Sequence, residues 1–226
     1  PVLADPDWCN KAYAGKVEDI RPCIGCQEGC VNEFVEGGHP QCAVNPRTGF
    51  EDVMPKKFPK AEKAKRIAVI GGGSAGMNFA LVAADRGHKV EIYEKSDRLG
   101  GKLWPASRPM VKFDMMNYTE WLIAQVEKAK GIKVKLNTEV DNDFLKKEGF
   151  DAVVFAVGAY GSGKLPPIPG IQDAKVVDGV DLLNKPELLG EAKLVVVIGG
   201  GSVGMETAYW LQYEKNCKVT VVEMLK

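Results

Sequence analysis

The stretch that decides the fold is Arg66-Ile-Ala-Val-Ile-Gly-Gly-Gly-Ser-Ala-Gly-Met77. An apolar strand pattern leads into a Gly-x-Gly-x-x-Gly turn at Gly71–Gly76, and a helical pattern continues to Arg86. A second strand pattern, Lys89–Tyr93, is followed by Glu94, eighteen residues after the last glycine of the turn. This order of strand, glycines, helix, strand and acid predicts a dinucleotide-binding unit rather than an isolated turn.

Each glycine of this turn has its own physical reason. Gly71 permits the tight turn out of the strand, Gly73 lets the backbone approach a pyrophosphate, and Gly76 lets helix and strand pack closely. The pyrophosphate would lie at the positive N-terminus of the helix, and the carboxylate of Glu94 would accept hydrogen bonds from a ribose diol. The contacts predicted at the start of the helix are Ser74 and Ala75.

The same unit occurs a second time. Gly199-Gly-Gly-Ser-Val-Gly-Met205 matches Gly71–Met77 at six of seven positions, and it also follows an apolar strand and opens a helix. A carboxylate at Glu223 favours the free 2′-hydroxyl of NADH and repels the 2′-phosphate of NADPH. We therefore expect NADH at this site. NADPH stays an alternative, because residues beyond Lys226 also influence the cofactor preference. The predicted contacts are Gly199, Gly201, Ser202, Val203, Gly204 and Glu223.

Regular alternation of helix and strand patterns continues between the two turns. A helix is predicted over residues 114–130, with strands over residues 132–136 and 152–157. The pair Gly100 and Gly101 can let the backbone pass close to a bulky cofactor. The fold class is therefore α/β with Rossmann-like domains. The further contacts predicted for the first cofactor are Lys95, Gly100, Gly101, Lys102, Leu103, Ala156 and Gly158.

Four cysteines, Cys23-x2-Cys26-x3-Cys30-x11-Cys42, precede the first turn. Three close thiolates and one remote thiolate are typical of a cubane iron–sulfur cluster. Structural zinc, which usually takes paired CxxC motifs, and a disulfide framework, which needs an oxidising compartment, are the alternatives. Beside two nucleotide sites, the pattern favours a 4Fe–4S cluster bound by Cys23, Cys26, Cys30 and Cys42.

Composition excludes several classes of partner. Thirty basic residues balance thirty acidic ones, so nothing indicates binding to nucleic acid or to an anionic membrane. The longest strongly apolar run, Leu194–Ile198, is far too short to span a membrane. No secretory pattern opens the printed sequence, and a cytoplasmic location is the expectation.

The sequence predicts three parts. Residues 1–64 form a cluster-binding segment and linker, rich in Pro, Gly and Cys. Residues 65–165 form the first part of an FAD-binding domain, and residues 166–226 form the start of an NAD(P)H-binding domain. Because a doubly wound sheet needs more strands than these to bury its faces, we expect a fragment of a longer enzyme whose last domain is truncated.

Several further motifs accompany the cysteines and the two glycine turns. They are Leu3-Ala-Asp-Pro6, Asn10-Lys-Ala12, Asp19-Ile-Arg-Pro-Cys-Ile-Gly-Cys26, Gly29-Cys30, Asn45-Pro46, Gly87-His88, Glu94-Lys95, Leu99-Gly-Gly101 and Ile168-Pro-Gly-Ile171. In these motifs the chain resembles the multidomain old yellow enzyme family, which includes 2,4-dienoyl-CoA reductase, 2-enoate reductase and trimethylamine dehydrogenase. The glycine turns extend the match through the FAD and NAD(P) domains.

This resemblance implies an enzyme activity that requires a further domain besides the residues of this chain. A preceding (β/α)8 barrel would hold FMN and the substrate, so no catalytic residue is expected here. Electrons would pass from NADH to FAD, then through the 4Fe–4S cluster to FMN, to reduce an activated C=C bond of an enoate, dienoyl-CoA or enone. The family pattern also implies a homo-oligomer of the full-length enzyme. Val157 departs from it, standing where relatives often have Thr.

Two other functions stay open at this point. One is a trimethylamine dehydrogenase-like enzyme that sends electrons outward to an electron-transfer flavoprotein. The other is a non-catalytic module that uses zinc and nucleotide sites for assembly. Metal analysis distinguishes the zinc-containing module from the redox enzymes. Oxidation of NADH by the full-length protein distinguishes the C=C reductase from the trimethylamine dehydrogenase-like enzyme.

Overall fold

A computed structural model of the chain describes residues 1–159, 167–173 and 175–224. The chain forms two compact units. Unit 1 contains Pro1–Leu103 and Asp114–Gly158, and unit 2 contains Trp104–Phe113 and Ala159–Lys226. The predicted border between the two nucleotide-binding domains, at residues 165 and 166, lies outside the described residues.

The centre of unit 1 is a parallel four-stranded sheet in the order β3-β2-β1-β4. Its strands are β1 (Arg66–Ile70), β2 (Lys89–Tyr93), β3 (Ile132–Lys135) and β4 (Ala152–Phe155). Parallel strands need crossover connections, and helices provide them here. These helices are α3 (Ser74–Asp85) between β1 and β2, α5 (Phe113–Lys128) before β3, and α6 (Asn142–Glu148) before β4.

The core of unit 1 lies between this sheet and its helices. Ile67, Ala68 and Val69 of β1 are all buried, as expected of a central parallel strand that is covered on both faces. Met77 and Ala80 of α3 are completely buried because they lie on the helix face that packs on the sheet. The buried positions of α5 are Tyr118, Thr119, Leu122 and Val126.

The first 64 residues contain little regular structure. They include two short helices, α1 (Trp8–Tyr13) and α2 (Glu33–Val35), and a π-helical turn at Glu28–Asn32. Ala4 and Val44 of this region are buried in the same core as the sheet of unit 1. The cysteine-containing region therefore packs directly onto the first nucleotide-binding unit.

Unit 2 contains a parallel pair of strands, β5 (Leu194–Ile198) and β6 (Lys218–Val222). Its helices are α7 (Gly179–Asn184) and α8 (Ser202–Tyr209). The remaining short helix, α4 (Leu103–Ala106), leads into the part of unit 2 that interrupts unit 1. The core of unit 2 consists of Leu182, Leu183, Trp210, Leu211 and Cys217.

Predicted element types are confirmed, and their ends differ by a few residues. The helix predicted over 114–130 spans Phe113–Lys128, and the strand predicted over 152–157 ends at Phe155. In the second repeat, α8 ends at Tyr209 and continues as a π-helical turn, Trp210–Glu214. No helix among the described residues is long and apolar enough to cross a membrane.

Candidate nucleotide-binding sites and cysteine segment

The first glycine turn, Gly71–Gly76, has the geometry that a dinucleotide needs. Gly71 has φ +106°, and a side chain there would overlap the carbonyl oxygen of Ala156. A side chain at Gly76 would overlap the carbonyl oxygen of Gly71. By contrast, a Cβ atom added to Gly73 would meet nothing within 4 Å. The turn is therefore tightly packed at its ends and open at its middle glycine, where backbone can approach a ligand.

The second glycine turn, Gly199–Gly204, repeats this geometry. Gly199 has φ +107°, and a side chain at Gly204 would overlap the carbonyl oxygen of Gly199. A Cβ atom at Gly201 would again meet nothing within 4 Å. The likeness of the two copies therefore extends from their residues to their backbone, and each open glycine directly precedes a helix N-terminus, α3 or α8.

The acid after each second strand is bonded to its own glycine turn. Glu94 is buried, and its Oε2 accepts a hydrogen bond from the amide of Gly72 at 2.7 Å. Its Oε1 accepts hydrogen bonds from Ser96 N and Oγ, both at 2.8 Å. Each carboxylate oxygen can accept more than one hydrogen bond, so a ribose hydroxyl can still bind. The carboxylate predicted to bind the ribose is thus oriented before any ligand arrives.

Sequence reasoning missed Gly72 and its counterpart Gly200. Gly200 N donates to Glu223 Oε2 at 2.5 Å, as Gly72 does to Glu94. A Cβ atom at Gly72 would lie 3.2 Å from Glu94 Cβ and would overlap the side chain of Leu99. The signal was present, because both copies carry glycine at the unspecified second position of the motif.

The pair Gly100 and Gly101 lies against the first glycine turn. Gly100 N donates to the carbonyl oxygen of Gly72 at 2.9 Å, and Gly100 forms a parallel β-bridge with Gly73. A Cβ atom at Gly101 would lie 3.2 Å from Gly73 Cα. Both glycines have positive φ, +114° and +53°. This pair therefore adjoins the glycine that was predicted to approach the pyrophosphate.

The remaining residues predicted to contact the first cofactor differ in exposure and in backbone conformation. Lys95 and Lys102 are exposed at the surface. Ala156 directly follows β4, and Gly158 has φ +75° with open space around it. An open groove of about 270 Å³ adjoins the start of α3. It is lined by Ile24, Ala43, Val44, Ser74, Ala75, Asn78, Leu103, Met115 and Tyr118.

The cysteine segment, residues 23–42, contributes one side of that groove through Ile24. All four of its cysteines are free thiols. The amide of Gly25 is directed at the sulfur of Cys23, with N and Sγ 3.4 Å apart. Gln41 N donates to Gly29 O at 2.5 Å, which joins the residues directly before Cys42 and Cys30. The backbone of Cys42 is thereby held close to that of Cys30.

The N-terminal residues 3–5 hold the two ends of the cysteine segment. Buried Asp5 accepts hydrogen bonds from Arg21 N at 2.8 Å and Lys11 Nζ at 2.6 Å. The carbonyl oxygen of Leu3 accepts hydrogen bonds from Asn45 Nδ2 at 2.8 Å and Thr48 Oγ1 at 2.9 Å. Residues 3–5 therefore form hydrogen bonds with residues that precede the cysteine segment and with residues that follow it.

Charged groups stabilise this arrangement in two ways. Burial acts to raise the pKa of Asp5, but the hydrogen bonds from Lys11 and Arg21 outweigh it and hold the pKa below its usual value. The guanidinium of Arg21 also donates to the carbonyl oxygen of Val44 at 3.0 Å. Arg21 thus links the residues before Cys23 to those after Cys42.

The donor set fits a thiolate-bound cluster. Among residues 1–159, 167–173 and 175–224, no three Cys, His, Asp or Glu side chains are grouped to hold a single metal ion. A cubane does not require such a group, because each of its thiolates binds a different iron atom. Four free thiols, with an amide directed at one sulfur, are the type of donor that such a cluster takes.

Charged side chains also stabilise the sheet below the first glycine turn. Glu91 accepts hydrogen bonds from Arg66 Nε at 2.8 Å and Tyr93 Oη at 3.1 Å, and it pairs with Lys135 Nζ at 3.0 Å. Burial acts to raise the pKa of Glu91, but the bonds from Arg66 and Lys135 lower it to about 2. Arg66 also pairs with Glu148 of α6 at 2.8 Å. This network holds β1, β2, β3 and α6 together.

In unit 2, three polar contacts hold the segment Trp104–Phe113. Arg108 Nε donates to Leu183 O at 2.7 Å, and Met110 N donates to Glu214 Oε1 at 2.7 Å. Lys112 Nζ pairs with Glu206 Oε1 of α8 at 2.5 Å. This segment therefore belongs to the same compact unit as the second glycine turn, although the predicted sequence borders assign it to residues 65–165.

Comparison with known proteins agrees with this geometry. The family model described as pyridine nucleotide-disulphide oxidoreductase matches residues 65–226. A cinnamate reductase from Clostridium sporogenes is 40% identical over 224 residues, which cover 99% of this chain and 32% of that protein. An NADH oxidase from Thermoanaerobacter brockii is 38% identical, covering 99% of this chain and 34% of that protein.

A solved structure is also similar. The 2-naphthoyl-CoA reductase in complex with 2-naphthoyl-CoA superposes with a TM-score of 0.89 and 36% sequence identity. The match covers 98% of this chain and 33% of that one. The chain thus spans about a third of the length of these relatives.

The fold and the paired glycine turns are those of the nucleotide-binding reductase region found in multidomain old yellow enzyme-like proteins. The chain belongs to the pyridine nucleotide-disulphide oxidoreductase family. The resemblance stated from the sequence is therefore confirmed, and the family supports FAD and a nicotinamide as cofactors.

Proposed function

We propose that this chain is the NADH-oxidising part of a longer flavin and iron–sulfur enzyme that reduces an activated C=C bond. The observation that carries the proposal is that a four-cysteine segment packs onto the core of a nucleotide-binding unit. A second glycine turn of the same geometry in the chain supports it. Relatives named cinnamate reductase and 2-naphthoyl-CoA reductase support an enoate, enone or CoA-thioester substrate.

FAD is assigned to the first glycine turn. The open backbone at Gly73 would receive the pyrophosphate at the N-terminus of α3, and Glu94 would accept from the adenosine ribose. Gly100 and Gly101 would limit the space beside Gly73. A flavin exchanges a hydride with a nicotinamide and single electrons with a cluster. The other proposed contacts are Gly71, Ser74, Ala75, Gly76, Lys95, Lys102, Leu103, Ala156 and Gly158.

NADH is assigned to the second glycine turn. Glu223 has its carboxylate fixed by Gly200, so a 2′-phosphate would meet a like charge while a ribose diol would find an acceptor. Gly201 leaves the space that a pyrophosphate requires. The remaining contacts proposed for this site are Gly199, Ser202, Val203 and Gly204.

A 4Fe–4S cluster is assigned to Cys23, Cys26, Cys30 and Cys42. When bound, such a cluster carries one electron at a time. Asp5 and Leu3 would keep the remote cysteine beside the others, and the amide of Gly25 would donate to the Cys23 thiolate. The open groove supports this assignment, because the cysteine segment and the start of α3 both line it.

The remaining parts of the proposal concern the longer enzyme. An FMN-binding barrel with the substrate site would lie outside this chain, and the chain itself would contribute residues 1–64, 65–165 and 166–226 as cluster segment, FAD domain and NAD(P)H domain. The relatives' length, about three times that of this chain, supports such a partner domain. We propose a cytoplasmic homo-oligomer.

Elemental analysis of the anaerobically purified protein tests this function. We expect about four irons and four acid-labile sulfides per chain, the content of one cubane cluster. Replacing Cys9, an exposed cysteine outside the spacing, by Ser should leave the iron content unchanged, whereas Cys42→Ser should lower it. One zinc and no sulfide would instead favour an assembly module. Failure of NADH to bleach the flavin would contradict the assignment of the second site.

A further inference from the structure

The first turn of α5 lies against the cysteine segment. Gly25, between Cys23 and Cys26, has φ +65°, and a Cβ atom there would lie 3.2 Å from Asp114 Oδ2. Asp114 is half-buried and belongs to the first turn of α5. Its carboxylate therefore adjoins the backbone that joins two of the proposed cluster ligands.

A neighbouring contact supports this placement. Met115, the next residue of α5, lines the open groove together with Ile24, the residue before Gly25. The amide of Gly25 is directed at Cys23 Sγ at 3.4 Å. Ile24 and Gly25, the two residues between Cys23 and Cys26, therefore both lie close to the first turn of α5.

The Asp114 carboxylate has no hydrogen-bonded or ion-paired side-chain partner within the described ranges. Neither a hydrogen bond nor an ion pair to this carboxylate occurs among residues 1–159, 167–173 and 175–224. Lys112, the nearest lysine before it in sequence, is paired with Glu206. A half-buried, unpaired charge acts on its surroundings more strongly than an exposed one, because solvent screens it less.

We propose that Asp114 lowers the reduction potential of the iron–sulfur cluster through its negative charge and thereby favours the transfer of the electron onward from the cluster. A cluster gains negative charge on reduction, so a fixed carboxylate beside its binding loop disfavours the reduced form. The low potential keeps the cluster able to pass its electron onward instead of retaining it. This inference rests on the proposed cluster. An acidic residue in the first turn of a helix stabilises the helix by itself, and the effect on the cluster is a role beyond that one.

A redox titration followed by the electron paramagnetic resonance signal of the reduced cluster tests the proposal. Asp114→Asn preserves the shape of the side chain and removes its charge. At a fixed solution potential we expect its ratio of reduced to oxidised cluster to rise about tenfold, equivalent to about 59 mV for a one-electron couple. Asp114→Glu, which keeps the charge, should stay close to the wild type.

Glu120→Gln is the matched control, because it removes the same charge from an exposed site on the same helix. Its potential should equal that of the wild type. A potential for Asp114→Asn that matches the wild type, at full iron and sulfide content, overturns the inference. If Asp114→Asn does not retain iron, Asp114→Ser is titrated under the same criterion. A wild-type protein without iron and sulfide overturns the proposed function itself, and this inference with it.

Discussion

The amide of Gly72 donates a 2.7 Å hydrogen bond to Glu94 Oε2, and the amide of Gly200 donates one of 2.5 Å to Glu223 Oε2. In both repeats the acid proposed to bind the ribose and the glycine turn are therefore one hydrogen-bonded unit. A ligand that meets a carboxylate already held in place loses less conformational entropy on binding. The second glycine of the Gly-Gly-Gly run is essential to this arrangement, because any side chain there would meet the acid.

Removing the acid of the first site should weaken both binding and folding. Glu94→Ala leaves the buried amide of Gly72 without its acceptor, a loss of about 1–3 kcal/mol of unfolding free energy, and it also removes the acceptor of the exposed Ser96. We expect substoichiometric FAD and a lower melting temperature. The exposed Glu139→Ala serves as the control. Full FAD occupancy in Glu94→Ala would contradict the role of this carboxylate.

Two glycines of the first turn should respond in opposite ways. Gly76→Ala forces a Cβ atom into the carbonyl oxygen of Gly71, so the free energy of unfolding should fall by about 3 kcal/mol or more. Gly73→Val has room in the ligand-free protein, and its φ of −75° suits any residue. It should fold normally but lose FAD. Thermal denaturation and flavin content distinguish the two, and FAD retained by Gly73→Val would refute the placement of the pyrophosphate.

Cofactor preference should follow Glu223. The wild type should favour NADH, and Glu223→Arg should shift the preference toward NADPH by roughly 10²-fold, because like charges placed together cost several kcal/mol. The measurement is kcat/KM for flavin reduction with each nicotinamide. Equal use of both cofactors by the wild type would show that other residues set the specificity.

Cluster retention should depend on Asp5. Asp5→Ala leaves the Arg21 amide and the Lys11 ammonium group without this acceptor and frees the residues before Cys23. We expect less iron per chain after gel filtration. Asp7→Ala is the control, because Asp7 forms a surface ion pair with Lys56, worth about 0–1 kcal/mol. Equal iron in both variants would argue against a role for residues 3–5 in holding the cysteines.

Acid should weaken the sheet network through Glu91. Its pKa falls from the ordinary value of 4.5 to about 2 in the folded protein. The stability that it contributes is therefore present above pH 4.5 and is lost as the pH falls toward 2. The difference in unfolding free energy between the wild type and Glu91→Gln should shrink over that window. A difference that stays constant from about pH 6 to about pH 2.5 would contradict the assignment.

The two glycine turns could be recognised from the sequence because their constraints are local. A glycine with φ near +106°, a strand of apolar residues before it and a helix after it all leave their pattern within about thirty residues. The ends of the elements were less predictable. The helix at Ser202 changes to a π-helical turn at Trp210, and no local signal in the chain marks that change.

The sequence by itself determined the α/β class, the repeat, the acids at Glu94 and Glu223, and the spacing of the four cysteines. Only the tertiary structure decided which distant residues adjoin them. Leu3 bonds to Asn45 and Thr48 across 42 and 45 residues, and Asp114 meets Gly25. Such contacts follow from how the chain packs around a shared core, and a periodicity of two or 3.6 residues carries no information about them.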